Sequence, residues 1–258
     1  MKTWQRHTLF LLTVAVICAG VIAVLVTDRK DKGVSDCRDI IVEISEDQKF
    51  VTEEDVRKYI AGEYGQCIGR RIDSIDLSRI EGILDSKSAV RKSEVWTTKD
   101  GYLHVSISQR KPVARFNRPE YGFYVDDRGC IFPLHPSYSA PVPEISGAIP
   151  LNPGSRYKGP PQTEQERIWI EKTTELLTYI RSSRQWRDRF SSITVRSNGD
   201  LVMKSATGPE YIIFGPPDEY REKLSRVSKY YSSIAPLRQE GYYKSINVKY
   251  NGQIACRR

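Results

Sequence analysis

The sequence lacks the short motifs by which many enzymes and cofactor-binding proteins are recognised. It contains no G-x-S-x-G nucleophile elbow, no H-E-x-x-H zinc motif, no P-loop and no glycine-rich dinucleotide fingerprint. Only three histidines occur in 258 residues, and the five cysteines form no C-x-x-C pair. The sequence therefore predicts no enzyme, no catalytic residue, no metal ligand and no cofactor, and it favours a protein that works by binding.

Long apolar runs are also absent, with one exception near the N-terminus. The mean hydropathy is -0.48 and 28% of the residues are charged, which is typical of a soluble protein. Thr8 to Val26 nevertheless carries no charged residue. Extended through Thr27, this run reaches the length of about 20 residues that a spanning helix needs. A cleaved signal peptide has a shorter run and a small-x-small cleavage site. We therefore predict an uncleaved transmembrane helix over residues 8–27.

The flanks of this helix do not decide its orientation. Lys2 and Arg6 precede it, and three basic residues follow it, so the count of Lys and Arg does not favour a cytoplasmic N-terminus. A long soluble domain crosses a membrane largely regardless of such charges. Residues 1–7 form a short tail, and residues 28–38 are polar and charged, which indicates a linker.

A net charge of +8 is compatible with binding to nucleic acid. No predicted helix carries a basic stripe, and no aromatic-basic motif of an RNA-binding sheet is present. We therefore predict no nucleic-acid binding. Outside the cytoplasm the charge would suit anionic lipid head groups or wall polymers, and most of it is interpreted as dispersed surface charge.

Residues 39–111 carry the pattern of a small α+β module. A short apolar run at 40–44 predicts a strand, Thr52 followed by Asp55 predicts a capped helix, and residues 77–84 show helical spacing. Residues 90–98 and the strict alternation of residues 102–108 predict two further strands, joined by an Asp-Gly turn. The predicted order is strand-helix-helix-strand-strand.

Residues 112–258 predict a mostly antiparallel sheet that carries two helices. Hairpins are expected at 123–132, 193–205 and 245–256, each around a glycine-containing turn. Helices are expected after Thr163 and after Pro217. The Pro- and Gly-rich residues 133–162 are expected to be ordered loop with segments at a sheet edge.

Four cysteines lie outside the predicted membrane helix, at Cys37, Cys67, Cys130 and Cys256. An oxidising compartment would permit two disulfides in any of three connectivities. The alternative is four small, half-buried apolar side chains, and the spacing does not decide between the two. If disulfides form, we expect the pairs Cys37–Cys67 and Cys130–Cys256, each within one domain.

Five segments carry the motifs of a known family. They read DGYLHVSISQRKPVAR at 100–115, FYVD with Gly129 and IFPL at 123–134, VPEISG at 142–147, FG with a following helix and a Tyr-Tyr pair at 214–231, and INVKY with Cys256 at 246–256. In this order they resemble the bitopic cell-division proteins of the FtsQ/DivIB family, in the form found in Bacteroidetes-type bacteria. The resemblance implies a POTRA domain at 39–111 and an FtsQ-type β domain at 112–258.

The resemblance also implies a topology and a function. It implies a cytoplasmic N-terminus, an inner-membrane helix and a periplasmic body at the division septum. It further implies a non-catalytic divisome scaffold that binds FtsB-like and FtsL-like partners and links early to late division proteins. A POTRA-bearing export or outer-membrane assembly component is the alternative, although the chain lacks room for the long β-barrel of such proteins. A membrane-anchored wall enzyme has no motif to support it.

The predicted partner site is the strand near the C-terminus. Because a sheet edge offers unpaired N–H and C=O groups, it can take a strand from another protein. The site residues are Ile246, Asn247, Val248, Lys249 and Tyr250. With a period of two, the first, third and fifth should face one side and the other two the opposite side.

Overall fold

The computed structural model describes residues 35–45, 48–239 and 241–258. The predicted tail at 1–7, the membrane helix at 8–27 and most of the linker at 28–38 lie outside these ranges. Within the described ranges, no helix combines the length and the apolar character that crossing a membrane requires. The described residues form four α-helices and twelve strands in two sheets.

The N-terminal sheet has three strands with two helices packed on it. Its elements are β1 Asp39–Ile44, α1 Glu53–Tyr59, α2 Leu77–Ser86, β2 Val90–Thr97 and β3 Tyr102–Gln109. The strand order is β1-β3-β2, with β1 parallel and β2 antiparallel to the central β3. This is the strand-helix-helix-strand-strand order predicted from the sequence.

Local signals account for these elements. The Thr52 hydroxyl accepts the Asp55 N–H, and the Asp55 carboxylate accepts the Thr52 N–H, so the predicted capping box begins α1. Asp76 caps α2 by accepting the Arg79 N–H at 2.9 Å. The apolar members of the alternating strand β3 are fully buried beneath the helices, as the period of two requires: Leu103, Val105 and Ile107.

The second sheet has nine strands, and two helices lie along it. The strands are β4 Pro112–Asn117, β5 Gly122–Asp126, β6 Ile131–Pro133, β7 Glu144–Gly147, β8 Phe190–Val195, β9 Leu201–Ser205, β10 Tyr211–Gly215, β11 Ser245–Asn247 and β12 Ala255–Arg257, and the helices are α3 Glu164–Ser182 and α4 Tyr220–Lys229. Their order is β12-β11-β10-β9-β8-β7-β4-β5-β6. Five neighbouring pairs are antiparallel and three are parallel, which confirms a mostly antiparallel sheet.

One face of this sheet is covered by the two helices. Ile193, Met203, Ile212 and Ile246 stand side by side across four strands and are buried in one core. Five side chains from the predicted helix positions complete this core: Leu176, Leu177, Ile180, Leu224 and Val227. The helices leave the opposite face exposed along β8 to β10, where Ser192, Lys204 and Tyr211 are exposed, whereas Tyr124 and Phe132 on β5 and β6 are buried in the other core.

The prediction for residues 133–162 is wrong in one respect. β7 is not an edge segment, because it lies between β4 and β8 and runs parallel to both. Its Ile145 is fully buried. A strand of four residues between prolines is too short to show periodicity, so its central position depends on partners that are distant in the chain.

The two sheets meet in a continuous junction. Phe50 packs edge-on against Tyr124, Phe132 and Tyr138, with ring centroids 5.5, 5.7 and 4.7 Å away. Beside this cluster, the Arg110 guanidinium lies 2.8 Å from the Asp126 carboxylate, which is fully buried. The chain therefore joins the two sheets through both apolar packing and a buried ion pair.

Candidate partner-docking edge

The predicted docking strand is shorter than expected and is not an edge. β11 ends at Asn247, and it pairs with β10 on one side and with β12 on the other. The prediction that residues 246–250 form an edge strand is therefore wrong. The chain turns at residues 251–252 and returns as β12, which lies outside β11.

The predicted alternation also stops within this segment. Ile246 and Val248 are fully buried, whereas Tyr250 is 53% exposed and does not share their environment. The Asn247 side-chain oxygen accepts the Lys249 N–H at 2.9 Å, a local bond that competes with a strand ladder. Val248 still donates its N–H to the Ile213 carbonyl at 3.0 Å. Beyond it the period of two no longer applies.

Lys249 has a partner within the chain. Its ammonium group lies 2.9 Å from Asp200 Oδ1, and the hydrogen bond to this carboxylate raises the pKa of Lys249. Its aliphatic stem passes over Gly215, where a Cβ would lie 2.7 Å from Lys249 Cγ. Lys249 therefore ties the segment to the sheet, and Tyr250 alone among the five predicted residues presents a large exposed side chain.

β12 is the outermost strand at this end of the nine-stranded sheet. It pairs with β11 through the registers Ser245–Arg257 and Asn247–Ala255. Because backbone groups alternate in direction along a strand, the N–H and C=O groups of Cys256 point away from β11. The other end of the sheet differs, since the backbone of Gly159 exchanges two hydrogen bonds with Ile131 of β6 at 2.8 and 3.0 Å.

The open face beside this edge is basic and aromatic. One row crosses five strands and joins Ser192, Lys204, Tyr211, Ser245 and Arg257. Tyr211 is 46% exposed. With Arg196, most of this row lines a shallow depression of about 360 Å³. Such a surface offers cations and an aromatic ring to an acidic or amphipathic segment.

A tyrosine cluster stands at the end of β10 and β11. The Tyr231 hydroxyl donates to Glu210 Oε1 at 2.7 Å, and burial raises the pKa of neighbouring Tyr230 to about 12. Two guanidinium groups, from Arg238 and Arg258, lie 5.4 and 4.5 Å from the centroid of the Tyr242 ring. Because the pKa of Tyr230 and that of Tyr231 are both raised by burial, these two are protonated at neutral pH. The whole cluster extends the aromatic, basic character of this surface.

Comparison with known families decides the assignment of the chain. Residues 111–257, more than half of the chain, match the family described as FtsQ/DivIB, C-terminal related. The chain belongs to this family. Residues 35–108 match a POTRA-like domain. None of the curated proteins matches the chain.

Membership of the FtsQ/DivIB family indicates a cell-division role at the membrane of the division site. The FtsQ/DivIB and POTRA domains are non-catalytic scaffold families. Within the described part of the chain, no group of three His, Cys, Asp or Glu side chains is placed to hold a metal ion.

The hairpin expected at 245–256 includes the strand β12, but the sequence pattern assigned neither β12 nor Tyr211 to the partner surface. The position of β12 outside β11 depends on the pairing of β11 with β10. No sequence pattern predicted that Tyr211 is exposed, because its exposure depends on which face of the sheet the helices cover.

Proposed function

We propose that this FtsQ/DivIB-family chain is a non-catalytic divisome scaffold that binds FtsB-like and FtsL-like proteins at the septum. In this proposal the scaffold links early to late division proteins. It is a single-pass inner-membrane protein with a cytoplasmic N-terminus and a periplasmic body. One observation carries the docking site: among the described strands, β12 has a partner on one side only, and it lies beside an open, basic, aromatic face.

The chemistry of the β12 edge suits the addition of a partner strand. Backbone N–H and C=O groups of an outer strand supply affinity, and side chains on the adjoining face supply specificity. β12 contains only three residues, so a partner needs further contacts. In this proposal Tyr211, Arg257 and Tyr250 provide these contacts, and the lysine and arginine side chains favour a partner segment with acidic residues.

The five residues predicted from the sequence take separate roles in this proposal. Ile246 and Val248 support the edge from the core, and Asn247 and Lys249 hold the turn that leads to β12. Tyr250 contacts the partner directly. Its exposed side chain lies three residues after the end of β11, immediately before the turn at residues 251–252 that leads to β12.

A binding experiment tests the role of Tyr250. Truncation of an aromatic side chain at an interface often costs about 2 kcal/mol or more of binding free energy, which corresponds to roughly a thirtyfold loss of affinity. Tyr250→Ala in the full chain in detergent should therefore bind the FtsB-like partner about thirtyfold more weakly. Trp96→Ala is the matched control, because Trp96 is an exposed aromatic on the other sheet. Its affinity should stay within about twofold of the unmodified chain.

A second variant tests the edge itself. Cys256→Pro removes an N–H that points away from β11, so the internal ladder can persist while the partner loses a donor. Partner affinity should fall while circular dichroism stays unchanged. If both Tyr250→Ala and Cys256→Pro fold and bind normally, the β12 edge is not the docking surface.

A further inference from the structure

The outer strand of the three-stranded sheet is covered in an unusual way. β2 has β3 on one side, and the N–H groups of Ser93 and Val95 point to the other side. Ser93 N–H donates to Asp85 Oδ1 at 2.6 Å, and Val95 N–H donates to Glu81 Oε1 at 2.9 Å. Both acceptors are side chains of α2 rather than backbone carbonyls of a strand.

The position of α2 makes this arrangement possible. Ile80 and Leu84 are fully buried beneath the helix and hold it on the sheet. Glu81 and Asp85 follow them by one residue each, at a spacing of four, so they lie together on one flank. That flank lies over the edge of β2. Ser93 adds a second bond, because its hydroxyl also donates to Asp85 Oδ1 at 2.8 Å.

An outer strand without such cover is a template for another chain. The two carboxylates receive the very N–H groups that an added strand would bond through its carbonyls. Because a carboxylate bonds more strongly than a neutral acceptor, it competes effectively with a strand that must lose conformational freedom to dock.

The sequence of β2 is complementary to a second copy of itself. In an antiparallel pair centred on Ser93, the two Ser93 residues exchange backbone hydrogen bonds across a two-fold axis. The exposed Lys92 of each copy then stands opposite the exposed Glu94 of the other. Opposite charges in directly facing positions stabilise a strand pair. The outward N–H of Val95 is used in the same pairing.

We infer that Glu81 and Asp85 prevent the POTRA-like sheet from pairing edge to edge with a second copy of this chain. The two side chains occupy the outward N–H groups of Ser93 and Val95 in β2, so these groups cannot bond to another strand. The inference does not depend on the β12 docking site, since the two edges belong to different sheets and can fail separately.

Removal of both carboxylates tests the inference. Glu81→Ala with Asp85→Ala in the full chain in detergent should lower the concentration of half-maximal self-association by at least tenfold, measured by sedimentation velocity. Glu81→Gln with Asp85→Asn is the matched control, because the amide oxygens can still accept the Ser93 and Val95 N–H groups. This control should self-associate less than the alanine variant, because its side chains still cover the Ser93 and Val95 N–H groups, although a neutral acceptor holds them less strongly than a carboxylate does.

Charge exchange then identifies the contact. In the alanine background, Lys92→Glu places carboxylates opposite each other and should reverse the gain in association. Adding Glu94→Lys restores opposite charges in the two-fold pair and should recover the association. Association that is unaltered by both substitutions would be non-specific and would overturn the inference.

Hydrogen exchange provides the fold control and a direct readout. The Ser93 and Val95 amides of the alanine variant, kept dilute, should exchange about tenfold faster or more, while the Glu94 amide keeps its protection. If the pair of alanines unfolds the domain, Glu81→Ala alone frees only the Val95 N–H and serves instead. A folded variant with exposed amides and no gain in self-association would also overturn the inference.

Discussion

At the scale of single residues, burial raises the pKa values of the four cysteine thiols in the described part of the chain. Cys37, Cys67, Cys130 and Cys256 are free thiols in the structure. The pKa of each is raised, and desolvation by burial is the main cause in every case. The structure therefore contains neither of the pairs that were expected in the event of disulfide formation, Cys37–Cys67 and Cys130–Cys256. The interpretation as small apolar side chains agrees with this, most clearly for Cys37 and Cys67 in the core of the N-terminal unit.

These raised values predict slow alkylation. Because the thiolate is the reactive form, a raised pKa lowers its fraction at any pH below that value. In the folded chain at pH 8, Cys37 and Cys67 should stay unmodified by iodoacetamide, while the half-buried Cys130 and Cys256 should react slowly. Peptide mass mapping after a timed quench measures this. Labelling of Cys37 as fast as in urea would contradict the prediction.

The Asp126 carboxylate takes part in both a local turn and a long-range ion pair. The sequence predicts a turn at Asp126, and the structure confirms it, because Asp126 Oδ1 accepts the N–H groups of Arg128 and Cys130 at 3.0 and 2.8 Å. The other carboxylate oxygen pairs with Arg110. The turn is a local event, whereas the ion pair joins the two sheets.

At the scale of elements, capping residues determine where the helices begin. Helix α3 starts with a capping box in which Thr163 accepts the Glu166 N–H and Glu166 accepts the Thr163 N–H. Such a box satisfies two backbone donors that would otherwise lack partners. The sequence predicted this start from Thr163 and Glu166 alone.

Removal of the cap should weaken the helix measurably. Thr163→Ala should lower the free energy of unfolding by about 1 kcal/mol, because the loss of a threonine N-cap costs about that much. Thr178→Ala is a suitable control, since Thr178 is exposed inside the same helix and alanine has the higher helix propensity. Urea titration followed by circular dichroism should show a loss for Thr163→Ala and no loss for Thr178→Ala. Equal effects would exclude a capping role.

At the scale of the whole molecule, the junction couples the two sheets. Arg110 extends from the end of β3 to the buried Asp126 of β5, and its Nε also donates to the Ser88 carbonyl at 3.1 Å. Lys158 reaches back from the second unit to the carbonyl oxygens of Asp85 and Lys87 at 2.5 and 2.7 Å. The two units therefore share polar contacts as well as the Phe50 cluster.

Breaking the buried ion pair should destabilise both units together. Arg110→Met leaves the Asp126 carboxylate buried without its cation, which typically costs about 3 kcal/mol or more. Arg110→Met with Asp126→Asn should recover part of this loss, because the carboxamide can keep the turn bonds without a buried charge. Thermal unfolding of the two single variants and the double variant gives the coupling. Strictly additive losses would show that the pair does not couple the sheets.

The sequence by itself determined the order and type of nearly all elements, because caps, turns and alternation are local signals. Thr52, Thr163 and the alternating strand at 102–108 were sufficient for their elements, and the ordered motifs were sufficient for the family. Only the tertiary structure decided the position of β7 in the middle of the sheet and of β12 outside β11. It also placed Lys249 beside Asp200, 49 residues away. Strand neighbours and ion pairs of this kind depend on segments that are remote in the chain, and no local pattern records which of them meet.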